Sequence, residues 1–291
     1  MSSTAPDCLP PDPSPIAPGF VVPPGACDAH FHVFGPFDRY PLSPKRVFTP
    51  VEATYRDCIA MHDRLGIQRG VVVHSAANGL DMQVSYDAVV ALGGRWRGIA
   101  LATVDTPDRD FARWNEAGFR GVRLNFVDLG ATAEEMKAMA ARLAPFGWHL
   151  QLLVKLDRLR ELAPVIRELP VPCVVDHMGF TRTDLGIGHP GFQALLALMR
   201  EGRTWCKVSG SDRIGRPEDG YAAARPFMQA LVDVGADRLV WGSDWPHVRK
   251  IPMPNDGFML KLLGDGVPDA ATRNRILVDN PARLYGFPPL P

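Results

Sequence analysis

The chain has 291 residues, 46% of them hydrophobic and 22% charged, with 32 basic side chains against 32 acidic ones. That length suits one large α/β domain or two ordinary ones, and the balanced charge offers no broad basic face for a phosphate backbone, so neither nucleic acid nor a charged membrane surface is an expected partner. No apolar run reaches the ~18 residues of a membrane span, the N-terminus lacks the pattern of a signal peptide, and five scattered cysteines without a Cys-x-x-Cys pair point to a reducing, cytoplasmic setting.

Residues 1–25 hold eight prolines and read as an extended arm with little apolar surface to bury. From residue 26 to 291 the pattern becomes one of short β-rich runs alternating with helical stretches. The runs fall at 26–34, 68–75, 97–104, 119–126, 148–154, 171–179, 204–210 and 238–246. Between them, segments such as VEATYRDCIAMHDRLG and TAEEMKAMAARLAPFG space their apolar residues by three and four and stop at glycine. Eight strands, each followed by a helix, in fewer than 300 residues describe a single-domain (β/α)8 TIM barrel. An open doubly wound sheet is the structural alternative, but no G-x-G-x-x-G follows the first strand.

Barrels of this kind carry their chemistry at the C-terminal ends of the strands. Polar side chains gather there: Asp28, His30 and His32 on the first run, His74 and Ser75 on the second, Arg123 and Asn125 on the fourth. Lys155 follows the fifth, His177 lies on the sixth, Ser209 and Ser211 on the seventh, and Asp244 and His247 on the eighth. Strict alternation would turn Asp28, His30 and His32 towards the axis together. His30, His32, His177 and Asp244 can then converge on one point, either a metal ion or the oxygen of a substrate carbonyl. Each histidine taken alone reads as a hydrogen-bonded interior residue; it is four such groups at matching strand ends that point to a site. His74 reads as structural, and Trp241 and Trp245 as packing residues beside Asp244.

The motifs DAHFHVFG, VVDHMG and WGSDWPH, in that order, resemble the amidohydrolase superfamily, in the branch of 2-pyrone-4,6-dicarboxylate hydrolases and related lactonases. The resemblance runs on through FRGVRLNF, SDRIG and DNPARLYGF. It implies a hydrolase that opens the ring of a carboxylate-bearing pyrone or muconolactone-like substrate in aromatic catabolism. It assigns water activation to Asp244, carbonyl polarisation to His30, His32 and His177, and the holding of substrate carboxylates to Ser75, Arg123 and Arg213. Lys155 and His247 complete the expected substrate contacts. Three positions depart from the family pattern, each removing a donor: Asp128 where a second basic residue is expected, and Leu153 and Phe48 where tyrosines are.

The resemblance also implies catalysis without a metal or cofactor. A dication about 6 Å from the Arg123 guanidinium would be repelled by roughly 5 kcal/mol at an effective dielectric of ~20. The competing expectation is a single zinc ion on His30, His32, His177 and Asp244, serving a decarboxylase of an aromatic or muconate acid. Sugar-lactone hydrolysis or isomerisation is a further alternative, and a catalytically dead barrel acting as an interaction protein is the non-enzymatic one.

Overall fold

The computed structural model describes residues 5–289. Eight parallel strands follow one another in sequence order around a barrel: β1 (Cys27–Phe31), β2 (Arg69–Val73), β3 (Trp96–Ala100), β4 (Phe119–Asn125), β5 (His149–Leu153), β6 (Cys173–Val175), β7 (Thr204–Lys207) and β8 (Leu239–Val240). Every β-rich run of the sequence overlaps one of them, β3 beginning one residue ahead of its run. The seam between the last and first strands is carried by the backbone just beyond β8. Ala29 donates to the Trp241 carbonyl at 2.8 Å, Asp244 to that of His30 at 2.8 Å and His32 to that of Trp245 at 2.8 Å.

Alternation along the strands sorts their side chains into two shells. Ala29, Val71, Val73, Ile99, Val174 and Val240 fill the axis, with Tyr285 and Phe287 of the C-terminal segment against them. Phe31, Val72, Val122, Leu150, Leu152 and Val175 face outward and pack under the helices. The helices begin and end as their sequences specify. Thr132 and Glu135 form a reciprocal cap at the start of the helix Ala133–Leu143, and the helix Tyr55–Leu65 stops at Gly66 in the left-handed conformation, φ 76°.

Two details of the strands differ from strict alternation. The pairing of β1 with β2 shifts register between Asp28 and Phe31. Cys27 and Ala29 therefore face the axis below the shift, and His30 and His32 face the reacting centre above it, an irregularity of the kind that re-aims side chains near active sites. Asp28, expected beside the histidines, points into the helix layer instead, where its carboxylate accepts from His62 at 3.1 Å and from the Ser243 hydroxyl at 2.5 Å. Strands β6 and β8 are also shorter than their runs, and each is followed by a site residue in the left-handed conformation: His177 (φ 48°) after β6 and Asp244 (φ 67°) after β8.

The proline-rich segment, from residue 5 onward, has no helix or strand of its own and lies along the barrel surface. The Cys8 backbone donates to the Thr49 carbonyl at 2.8 Å, and that of Ile16 donates to the Asn255 side chain at 3.0 Å. Cys27, Cys58, Cys173 and Cys206 are buried free thiols, raised above their ordinary pKa chiefly by burial. Among the described residues no helix is long and apolar enough to cross a membrane.

Candidate active site

At the C-terminal mouth of the barrel the structure brings three imidazoles onto one carboxylate oxygen. The Nε2 atoms of His30, His32 and His177 lie 3.6, 3.6 and 3.7 Å from Asp244 Oδ1. All four residues are buried. Glycine makes this approach feasible: a Cβ on Gly242 would meet His30 Cβ at 2.5 Å, and one on Gly210 would meet His177 Cβ at 2.7 Å. The glycines of WGSD and VSGS thus let the β8 and β7 ends close over the histidines.

Above this cluster opens a cavity of about 350 Å³ whose wall includes His32, His177 and Asp244. His30 lies just behind them, fully buried. Ser75, Arg123, Lys155 and Arg213 also line the cavity, so four of the five expected substrate contacts border one space. Phe48, Leu153 and Asp128, the three departures from the family pattern, line it too, which confines the lost donors to the cavity wall. Asp128 pairs instead with Arg249 from across the mouth, 3.0 Å from its carboxylate.

Two expected substrate contacts differ in detail. His247 is fully buried away from the cavity and pairs with Asp256 through Nε2 at 3.0 Å; burial would lower its pKa, but the Asp256 carboxylate raises it. It anchors the loop after β8 and does not face a ligand. Arg213 lines the cavity, but its fork is already engaged: Nε and Nη2 both reach Asp244 Oδ2 at 2.7 Å and Nη1 donates to the Val248 carbonyl at 2.8 Å. Only the second protons of its two Nη atoms remain for a ligand. His74, read as structural, has both ring nitrogens engaged, with Ser85 at 2.8 Å and the Gly79 carbonyl at 3.0 Å.

Beneath the histidines lies a layer that sequence reasoning missed. Asp176, fully buried, takes Arg123 Nε at 3.0 Å and Gln151 Nε2 at 3.1 Å on Oδ2. Lys207, equally buried, donates to the Ala29 carbonyl at 2.9 Å and to Gln151 Oε1 at 2.8 Å, and its Nζ lies 3.4 Å from Asp176 Oδ1. A lysine inside the apolar run TWCKV and an acid directly before His177 were the available signals. Both point inward only because each supplies the other's countercharge.

Electrostatics follow from these contacts. Burial raises the Asp244 pKa, but Arg213 and His177 outweigh it and hold the carboxyl well below its usual range. Asp176 is likewise held well below by Lys207, His30 and Arg123 against the cost of burial. Burial and the Lys207 charge push His30 well below its ordinary value, and burial lowers His177. Burial brings Lys207 down to about 8, so it stays largely charged at neutral pH. Arg123, Arg213 and Lys207 against Asp176 and Asp244 leave one net positive charge before the exposed Lys155 is added.

Nitrogen atoms of His30 and His32 and an oxygen of Asp244 lie within 4.8 Å of one another, a spacing that a divalent cation can span. Permanent cations already face these groups. Arg213 takes the second oxygen of Asp244 through two donors, and Lys207 sits 3.1 Å from the far nitrogen of His30. A divalent ion there would meet their repulsion.

The chain and its fold have counterparts among known proteins. The family model described as amidohydrolase matches residues 27–287. The chain is 37% identical to a 4-sulfomuconolactone hydrolase of Hydrogenophaga intermedia, over 97% of this chain and 95% of that protein. It is 36% identical to a 2-pyrone-4,6-dicarboxylate hydrolase of Comamonas testosteroni, over 94% and 93% of the two chains. A crystal structure from Acinetobacter baumannii, described as a probable 2-pyrone-4,6-dicarboxylic acid hydrolase with citric acid bound, superposes with a TM-score of 0.81 at 28% identity, covering 90% of this chain and all of that one.

Proposed function

The chain belongs to the amidohydrolase family, and from that membership we propose that it hydrolyses a lactone bearing one or more anionic groups, in the breakdown of aromatic compounds. The observation that carries this reading is the juxtaposition of Asp244, clustered with three imidazoles, and a cavity whose wall is rich in cations. Relatives of more than a third identity over nearly their whole length act on lactones of this kind, by their names.

In the proposed reaction the substrate's anion docks on Arg123, whose terminal nitrogens are not engaged by Asp176, with Ser75, Lys155 and the spare Arg213 protons beside it. The lactone carbonyl lies over the imidazole cluster with its oxygen towards His30 and His177, which withdraw electron density from it. Asp244 removes a proton from water as the water oxygen bonds to the carbonyl carbon. The bond from that carbon to the ring oxygen then breaks, the ring oxygen leaves as a hydroxyl with the proton that Asp244 took, and the former carbonyl becomes a carboxylic acid. Asp244 is held ionised by Arg213, so the base is ready at neutral pH. A substrate anion that competes for the Arg213 protons makes it more basic at the moment of attack.

No metal enters this reading, which the donor state of the site supports, and a cytoplasmic location is part of the proposal. The test is an absorbance assay of chelator-treated protein against pyrone carboxylates, muconolactones and neutral sugar lactones. Ring opening of an anionic lactone, undiminished by the chelator, is expected. Activity confined to neutral sugar lactones, or carbon dioxide release that depends on added zinc, would overturn it.

A further inference from the structure

His30 and His32 stand two residues apart and aim Nε2 at the same oxygen of Asp244, yet the groups behind their rings are of opposite kinds. His32 Nδ1 lies 2.7 Å from the carbonyl oxygen of Val73. A carbonyl can only accept, so His32 carries a proton on Nδ1 and, as an uncharged ring, turns the Nε2 lone pair towards Asp244.

Behind His30 the neighbour is Lys207, with Nζ 3.1 Å from Nδ1. The other two close partners of Nζ, Ala29 O at 2.9 Å and Gln151 Oε1 at 2.8 Å, are acceptors. The orientation of the Gln151 amide is fixed by its own donation to Asp176 Oδ2. An ammonium has three protons and no lone pair. Two protons are taken by the oxygens, and the third falls on His30 Nδ1. Two N–H groups facing each other at 3.1 Å would repel, so Nδ1 is the acceptor. Asp176 Oδ1, 3.3 Å from the same nitrogen, offers the opposite arrangement, but it lies farther away and makes no hydrogen bond to the described residues. Its charge, 3.4 Å from Nζ, favours the ammonium.

We propose that Lys207 is a positioning residue, whose buried ammonium holds His30 as the tautomer protonated on Nε2. His30 then presents a hydrogen-bond donor to the reacting centre where His32 presents an acceptor. The buried Nε2 of His30 has no partner among the described residues, so its proton is free for the oxygen of a bound carbonyl beside Asp244. The lone pair of His32 cannot stabilise an oxyanion and is left to accept from the attacking water. The two imidazoles of the H-x-H motif thus divide the work, and what divides them is one lysine from β7 and one backbone carbonyl from β2.

The experiment is a long-range 1H–15N correlation spectrum of the protein labelled with 15N-histidine at neutral pH, with His30 and His32 assigned by the signals lost in H30Q and H32Q. The expected result is a proton on Nε2 of His30 and on Nδ1 of His32. A proton on Nδ1 of His30 overturns the proposal, and this measurement on the unmodified protein decides the tautomer even where a variant fails to fold. In K207M the His30 proton is expected to move to Nδ1 and donate to Asp176, while kcat falls roughly 10- to 100-fold with a much smaller change in KM. An unmoved His30 proton in K207M would mean that the lysine does not set the tautomer. The rate measurement rests on the lactone-hydrolase reading, whereas the tautomer does not involve substrate. Absence of turnover on every anionic lactone would therefore sink that reading and leave the spectrum to judge this one.

Discussion

Buried arginines sit at both ends of the barrel axis, and the two ends use them differently. At the N-terminal end, Arg97 donates to the Tyr285 carbonyl at 3.1 Å and that of Gly286 at 2.8 Å, Arg69 donates to the Pro288 carbonyl, and both guanidinium groups stack on Phe287. At the C-terminal end, Arg123 and Arg213 are held by the carboxylates of Asp176 and Asp244 and border an open cavity. Arg97 makes four hydrogen bonds to backbone oxygen, and with Arg69 it closes the barrel against the chain's own tail. The upper pair is oriented by acids that leave donors unspent. Between Arg97 and Arg123, what distinguishes a seal from a site is residual hydrogen-bonding capacity facing space, and not the presence of charge.

The largest expected break of this contrast is D244N. It removes the water-activating carboxylate with almost no change in shape, and kcat should fall by about 10³-fold or more, the scale of a positioned general base. Calorimetry should still register binding of the anionic product, because Arg123 and Lys155 are untouched. Turnover near the unmodified level would end the assignment of Asp244.

Next in size is R123M. A lost charge-assisted hydrogen bond is worth about 1.5–3 kcal/mol, so KM for an anionic lactone should rise roughly 10- to 100-fold. R123K should recover only part, since an ammonium cannot serve Asp176 and a substrate anion with a planar fork. A KM unchanged in R123M would favour a neutral lactone substrate. At the other end of the axis, R97A should leave kcat and KM alone and cost about 2 kcal/mol of stability, read as a lower midpoint in urea. A loss of activity at unchanged stability would mean that the lower end is no mere seal.

The sequence made the fold readable because β-branched, alternating runs and capped helices say the same thing at every level. It made His30, His32, His177 and Asp244 readable because burying polar side chains at the ends of apolar strands is costly, and four at matching ends imply a shared task. It hid the layer underneath. A lysine in a strand ordinarily reads as a solvent-facing residue, and Lys207 is interior only through Asp176 and Gln151, which are distant in sequence and meet it across β5, β6 and β7. The direction of Asp28 was hidden for a different reason: a register shift of β1 against β2 reverses alternation within two residues, and no local pattern announces it. Arg213 and His247 were readable as polar loop residues but not as partners of Asp244 and Asp256, because pairing depends on where two loops land.

The finest test of the contrast uses the one histidine set low in the barrel. His149, at the start of β5, packs against Tyr285 with ring centroids 5.5 Å apart, and its Nε2 has no partner among the described residues. Burial, and then the Lys207 charge, bring its pKa down to about 3. The unfolded chain takes up a proton near pH 6.5 that the folded chain refuses until far lower, so the contribution of a neutral His149 is complete above pH 6.5 and is lost as the pH falls towards 3. Between pH 7 and pH 6 this amounts to roughly 0.7 kcal/mol. H149Q should therefore flatten the decline of urea stability over that interval by about this amount without moving the pH profile of kcat, which the mouth's own groups set. A shifted kcat profile in H149Q would show that the charge of Lys207 couples the lower end of the barrel to the site above it, and the division between seal and site would have to be redrawn at Lys207.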